Sequence, residues 1–182
     1  MLELLKFLLG FIPWIAFGLL AGPSVVRLEV AIWISLALSV VLSLRELRKG
    51  FILAWGTLLF FAAAALFVGL KQVWFMRDLN VLVAASMAAI AWISLLVGRP
   101  FVLQIAREEA PRESWDDPAF IAGCRHLTII WGILFLVSLG VAATASLGHP
   151  GPSWLHTLLS SGTPIAGTIY TLRYKKKMKA RR

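Results

Sequence analysis

The stretch that decides the fold is Phe51–Leu70, "FILAWGTLLFFAAAALFVGL", which carries no charged side chain. A helix that crosses a bilayer needs roughly 20 mostly apolar residues, because the hydrocarbon core is about 30 Å thick and a helix rises about 1.5 Å per residue. Phe51–Leu70 meets that requirement in length and in composition. The stretch therefore predicts a membrane-spanning helix.

The rest of the chain has the same character. Hydrophobic residues make up 59% of the 182 residues and charged residues only 15%, whereas ordinary soluble domains are about 25% charged. A soluble domain of this size could not hide so much apolar surface. The sequence predicts an all-α fold, a single integral membrane domain with six transmembrane helices. The spans lie at about residues 4–21, 28–44, 51–70, 79–98, 126–147 and 154–172, followed by a basic tail at 173–182. Pro13 and Pro164 are expected to kink the first and sixth spans.

The distribution of basic residues predicts the orientation. With six spans, both termini share one side, and 15 of the 18 Lys and Arg residues lie on that side. Only Arg27, Lys71 and Arg77 lie on the other side. Since an excess of Lys and Arg marks the cytoplasmic side, we expect both termini in the cytoplasm. Seven basic residues lie in the tail at 173–182. This tail indicates anionic lipid as its partner, and no aromatic-interleaved basic motif points to nucleic acid.

One segment interrupts the apolar pattern, Gly98–Pro118, "GRPFVLQIAREEAPRESWDDP". Pro100 fits the first turn of a helix, and the apolar residues after it gather on one broad side. We expect a short cytoplasmic interfacial helix between the fourth and fifth spans, with its apolar side toward acyl chains or the bundle. Pro111 ends that helix. Asp117 is the expected N-cap of the next helix, with Pro118 at its first position.

The sequence contains no recognisable catalytic motif. The spans contain essentially no ionisable side chain, which disfavours a proton-coupled carrier, and Thr57 and Asn80 are expected to form hydrogen bonds between helices. By the predicted topology His126 lies on one side of the membrane and His149 and His156 on the other, so the three histidines cannot share one metal or haem. We therefore expect no enzyme, no cofactor and no metal site.

Two packing features leave alternatives open. Small-residue pairs such as Ala84–Ala88 allow helices to approach closely, either within one chain or in a homo-oligomer. Five tryptophans lie inside predicted spans and fit either ordinary helix packing or an aromatic-lined cavity for a lipid or quinone: Trp14, Trp33, Trp55, Trp92 and Trp131.

The order of short motifs resembles the bacterial YciB (IspZ) family of inner-membrane intracellular septation proteins. The motifs are "KFLLGFIPWIAF" in the first span, "RELRKG" after the second, "GRPF" after the fourth, "PRESW" from Pro111 to Trp115, the Trp131–Phe135 pair and the final "IYTLRYKKK". The resemblance implies a role in cell division and envelope integrity, through contacts with division or wall-elongation membrane proteins. It supplies no catalytic residues.

The resemblance makes the predicted cytoplasmic segments the candidate contact face. Its residues are Arg45, Arg48, Lys49, Arg99, Pro100, Phe101, Arg107, Pro111, Trp115 and Arg125. Two other functions stay open at this point. One is a small membrane carrier or channel for a lipid or apolar solute, and the other is a membrane redox subunit that binds quinone or haem.

Overall fold

The computed structural model describes residues 10–22, 24–148 and 166–176, and no β-strand occurs among them. The helices are α1 (Ile12–Leu20), α2 (Val25–Arg48), α3 (Ile52–Gly69), α4 (Val73–Arg77), α5 (Leu79–Leu96), α6 (Phe101–Glu109), α7 (Pro118–Ser146) and α8 (residues 166–176). A single 3-10 turn, Arg112–Ser114, lies between α6 and α7. The all-helical fold is thus confirmed for the described part of the chain.

Four of these helices are long and apolar enough to cross a membrane, namely α2, α3, α5 and α7. They coincide with the second to fifth predicted spans. Helix α1 covers part of the first predicted span, and α8 covers the end of the sixth. Residues 1–9 and 149–165, which complete those two spans and include Pro164, lie outside the described residues. Pro13 lies in the first turn of α1, where its missing N–H is not needed; the expected kink of the first span also involves residues 1–9, which lie outside the described residues.

The chain divides into two compact units. The first consists of Met1–Leu79 with Gln104–Pro111, and the second of Asn80–Leu103 with Arg112–Arg182. In the first unit α1 packs on α2, α2 on α3, and α3 on α4. Small residues make up most of the buried face of α2, because Ala31, Ser35, Ser39 and Ser43 recur every four residues and are at most 5% exposed. Such small side chains let helix backbones approach closely in a lipid environment.

An aromatic cluster holds α1 against α3. The ring of Trp14 stacks on Phe60 at 4.9 Å and lies 5.0 Å from Phe61. Its indole Nε1–H donates a 2.9 Å hydrogen bond to Thr57 Oγ1, and Thr57 is 1% exposed. The predicted role of Thr57, a hydrogen bond between helices, is confirmed.

The far end of α3 turns sharply into α4. Lys71 has a φ of 54°, and Phe67 then stacks on Phe75 with ring centroids 5.1 Å apart. Arg77 forms a 2.8 Å ion pair with Asp78. The hydrogen bond to Asp78, and then its charge, raise the pKa of Arg77, which leaves the guanidinium protonated. Asp78 therefore balances the positive charge of Arg77.

In the second unit, two tryptophan rings pack directly against helical glycines. A Cβ on Gly132 of α7 would lie 3.1 Å from Nε1 of Trp92 on α5, and a Cβ on Gly167 of α8 would lie 2.9 Å from the ring of Trp131 on α7. Trp131 also donates a 3.1 Å hydrogen bond from Nε1 to Thr171 Oγ1. The absence of side chains at these two glycines thus lets aromatic rings lie directly on the helix backbone.

The open packing alternatives are resolved for some residues. Ala84 and Ala88 are 9% and 4% exposed, so this small-residue pair is buried within the chain. Trp33 and Trp55 are 59% and 46% exposed and do not line an interior cavity. Trp55 lies in the first turn of α3, where its Nε1–H donates to the Leu47 carbonyl at 3.0 Å.

Candidate contact surface

The turn between α2 and α3 presents the basic part of the candidate face in the first unit. Arg45 and Arg48 lie in the last turn of α2 and are exposed. Cations are stabilised there by the partial negative charge of the helix C-terminus. Lys49 follows, and Gly50 reverses the chain with a φ of 71°. Glycine adopts this left-handed conformation without the steric penalty that other residues pay. The sequence "RELRKG" is therefore a tight helix-to-helix turn with its arginines pointing to solvent.

Glu108 of α6 partly neutralises this turn. Lys49 Nζ lies 2.7 Å from both carboxylate oxygens of Glu108, and Arg45 lies 3.8 Å away. Because the Lys49 and Glu108 side chains are 37% and 31% exposed, the pair stabilises the fold by no more than about 1 kcal/mol. Its main consequence is positional, since it fixes the charged edge of α6 beside the turn.

A second contact places α6 more specifically. The N-cap of α3, Phe51, offers no side-chain acceptor, and Gln104 Oε1 instead accepts a 2.8 Å hydrogen bond from the backbone N–H of Ile52. The first amides of a helix lack partners within the helix, and a side-chain cap is typically worth about 1 kcal/mol. Gln104 therefore caps α3 from 52 residues further along the chain.

The "GRPF" motif in the second unit is a structural joint. Gly98 has a φ of 73° at the end of α5. Ser94 is fully buried, and its hydroxyl donates to the Ala91 carbonyl at 2.7 Å and accepts from the Phe101 N–H at 3.1 Å. Pro100 is buried and Phe101 is 1% exposed. Their assignment to a contact face is therefore wrong, because neither side chain reaches the surface.

The apolar side of α6 is turned into the protein. Phe101, Val102, Leu103 and Ala106 are all at most 8% exposed. Of the two orientations open to an amphipathic helix, toward acyl chains or toward the bundle, the chain adopts the second. The polar edge of α6 is consequently held in place by burial of its apolar side.

The segment after α6 leads into α7 as the sequence predicts. Arg112 Cζ lies 5.9 Å from the ring centroid of Trp115, within the range of a cation–π contact, and Trp115 is half-buried. Asp117 caps α7 by accepting a 2.9 Å hydrogen bond from the Ala119 N–H, with Pro118 at the start of the helix. The predicted N-cap is confirmed.

The ten candidate residues thus fall into three groups. Six are exposed: Arg45, Arg48, Lys49, Arg99, Pro111 and Arg125. Arg107 and Trp115 are half-buried, and Pro100 and Phe101 are buried. Since Arg45, Arg48, Lys49, Arg107 and Pro111 belong to the first unit and the others to the second, the exposed members form a separate set in each unit.

Sequence reasoning missed the residues that position these sets, namely Gln104, Glu108 and Ser94. Nothing in the local sequence around Glu108 or Gln104 predicts these contacts. One usable signal was present: Phe51 is a poor N-cap, so α3 needed an acceptor from elsewhere.

In the described ranges, no group of three or more His, Cys, Asp or Glu side chains converges as a possible metal site. His126 contacts Tyr170, while His149 and His156 lie outside the described residues. Comparison of the chain with protein-family models, with curated proteins and with solved structures gave no match.

Proposed function

We propose that this chain is a six-helix bacterial inner-membrane protein that supports cell division and envelope integrity by contacting other membrane proteins. The observation that carries the proposal is the fixed, charged surface of the first unit. Exposed Arg45 and Arg48 stand beside a helix, α6, that Gln104 and Glu108 hold to the α2–α3 turn. The motif resemblance to the septation family supplies the biological setting.

Rigidity supports an interaction role. A surface that is ordered before binding loses less conformational entropy when a partner docks. Since the apolar side of α6 is already buried, this helix does not have to leave a membrane surface to present its polar edge. The α2–α3 turn and α6 are therefore ready to receive a partner of complementary, acidic charge.

The charge pattern of the helices supports the same reading over driven transport. Within α2, α3, α5 and α7, every Asp, Glu, Lys, Arg and His lies within about the first nine or last four residues of its helix. A carboxylate or histidine deep in the bundle is what a proton-coupled carrier requires. The described helices supply none there.

The proposed topology puts both termini, the α2–α3 turn, α6 and the tail at 173–182 in the cytoplasm. It follows from the excess of Lys and Arg on that side. The partners proposed are division or wall-elongation membrane proteins, together with anionic lipid at the basic tail.

Charge reversal with co-purification tests the proposal. Arg48→Glu in the first unit, and Arg99→Glu or Trp115→Ala in the second, should reduce recovery of partner membrane proteins after mild solubilisation, while the amount of protein in the membrane stays unchanged. Lys71→Glu, at the opposite end of α3, is the matched control and should leave recovery intact. Equal recovery with all four variants would remove the contact surface from the account.

A further inference from the structure

An aromatic and polar cluster joins α7 to α8 in the second unit. Nε2 of His126 lies 2.9 Å from the hydroxyl of Tyr170. The His126 ring stacks on Tyr174 at 5.4 Å, and the two tyrosine rings lie 6.2 Å apart. Tyr170 and Tyr174 are four residues apart and so lie on one face of α8. The cluster therefore brings the start of α7 and the middle of α8 to one place on the surface.

Unneutralised cations flank this cluster in sequence. Arg125 precedes His126, Arg173 precedes Tyr174, and Lys176 follows within one turn. All three are exposed. None makes an ion pair or a hydrogen bond from its side chain within the ranges that the structure describes. The basic α2–α3 turn differs, because there Glu108 compensates Lys49.

The cations also lie where the chain becomes apolar. From Leu127 to Ser146 helix α7 carries no Asp, Glu, Lys or Arg, so Arg125 and His126 stand at the boundary of its apolar portion. Tyrosine rings are favoured at this depth, where the ring contacts the hydrocarbon edge and the hydroxyl contacts water. The phosphates of phospholipid headgroups occupy the same level.

We propose that Arg125, Arg173 and Lys176, with the Tyr170–His126–Tyr174 cluster between α7 and α8, bind the phosphate headgroup of an anionic phospholipid. Guanidinium groups bind phosphate oxygens through paired, charge-assisted hydrogen bonds. The tyrosine rings contact the glycerol region beside the phosphate. The site rests on the membrane placement proposed above. It moves the lipid contact from a diffuse tail to a defined pair of helices.

A lipid titration of the full-length protein tests the site. The protein is placed in phosphatidylcholine nanodiscs, and binding of fluorescent phosphatidylglycerol is measured for the wild type and for Arg125→Gln/Arg173→Gln. Because each basic residue near a membrane surface contributes about fivefold in affinity, the double variant should bind about 25-fold more weakly. The control Lys71→Gln/Arg77→Gln removes two basic side chains that the proposed topology assigns to the opposite side of the membrane. It should change affinity by less than about twofold, because the core is about 30 Å thick and the Debye length about 8 Å.

Three results would overturn the site. Equal weakening by both double variants would show that net charge alone attracts the lipid. Unchanged binding in Arg125→Gln/Arg173→Gln would show that these residues do not bind it. Displacement of the lipid by an equimolar amount of inorganic phosphate would identify a free-anion site. The contact-surface proposal fails by a different result, unchanged partner recovery with Arg48→Glu. A wild-type protein that does not insert into bilayers would contradict the contact surface and the lipid site together.

Discussion

Gly167→Ala should lower stability although alanine is the better helix former. A Cβ at this position would lie 2.9 Å from both Cη2 and Cζ2 of Trp131, closer than such atoms approach in folded proteins. Trp131 cannot easily move aside, because it is 3% exposed and hydrogen-bonded to Thr171. Overpacking costs about 1–3 kcal/mol, and the gain in helix propensity offsets about 0.5–1 kcal/mol. We expect a net loss of about 1–2 kcal/mol, or about 2–8 °C in Tm for a chain of this size.

The single cysteine of the chain provides the assay. Cys124 is 6% exposed and lies in the same unit as Trp131, so a maleimide fluorophore reacts with it only when that unit opens. The rate of labelling on heating the detergent-solubilised protein therefore reports the Tm of the second unit, which contains Gly167 and Trp131.

A matched control and a double variant make the test decisive. Gly140 is also helical in α7, but a Cβ there would have nothing within 4 Å, so Gly140→Ala should raise Tm by about 1–4 °C. Trp131→Phe removes the outer ring atoms that the new Cβ would meet, and in that background Gly167→Ala should no longer destabilise. Equal effects of Gly140→Ala and Gly167→Ala, or an unchanged penalty beside Phe, would refute the reasoning.

Three further predictions concern the hydrogen bonding of individual polar side chains. Gln104→Ala removes the cap of α3 and should speed hydrogen exchange of its first amide about fivefold, at about 1 kcal/mol, whereas Gln104→Glu keeps the acceptor and the protection. Thr57→Val leaves the part-buried indole N–H of Trp14 without its acceptor and should cost about 1–3 kcal/mol by thermal unfolding, an effect that Thr57→Ser should largely avoid. The hydroxyl of Ser35 is fully buried without a hydrogen-bond partner in the described part of the chain, so Ser35→Ala should be neutral or stabilising. Ser94→Ala, which breaks two hydrogen bonds, should destabilise by about 1–2 kcal/mol; equal Tm changes for the two serine variants would contradict this account.

Local chemistry explains what was predictable from the sequence. An apolar stretch of spanning length determines helix and burial together, so α2, α3, α5 and α7 follow from composition. The start of α7 was equally local, because Asp117 and Pro118 are adjacent and each has one favoured role at a helix N-terminus. Thr57 was predictable because a polar side chain inside an apolar helix must find a partner.

Contacts across long sequence separations were not predictable in the same way. Gln104 and Ile52 are 52 residues apart, and Glu108 and Lys49 are 59 apart. Phe101 was assigned to a contact face because it lies in a predicted cytoplasmic segment, yet its helix has an apolar side that the fold buries. A helical wheel identifies the apolar side of α6, but only the folded structure shows whether that side faces lipid or protein.

The measurement that tests the central claim most directly is site-specific photocrosslinking in living cells of the native host. A photoreactive amino acid is placed at Arg48, on the exposed α2–α3 turn, and separately at Lys71, at the opposite end of α3. The account predicts that irradiation at position 48 yields covalent products with membrane proteins of division or wall elongation, and that position 71 does not yield them. Identical products at both positions, or none of these partners at position 48, would contradict a contact surface at this turn.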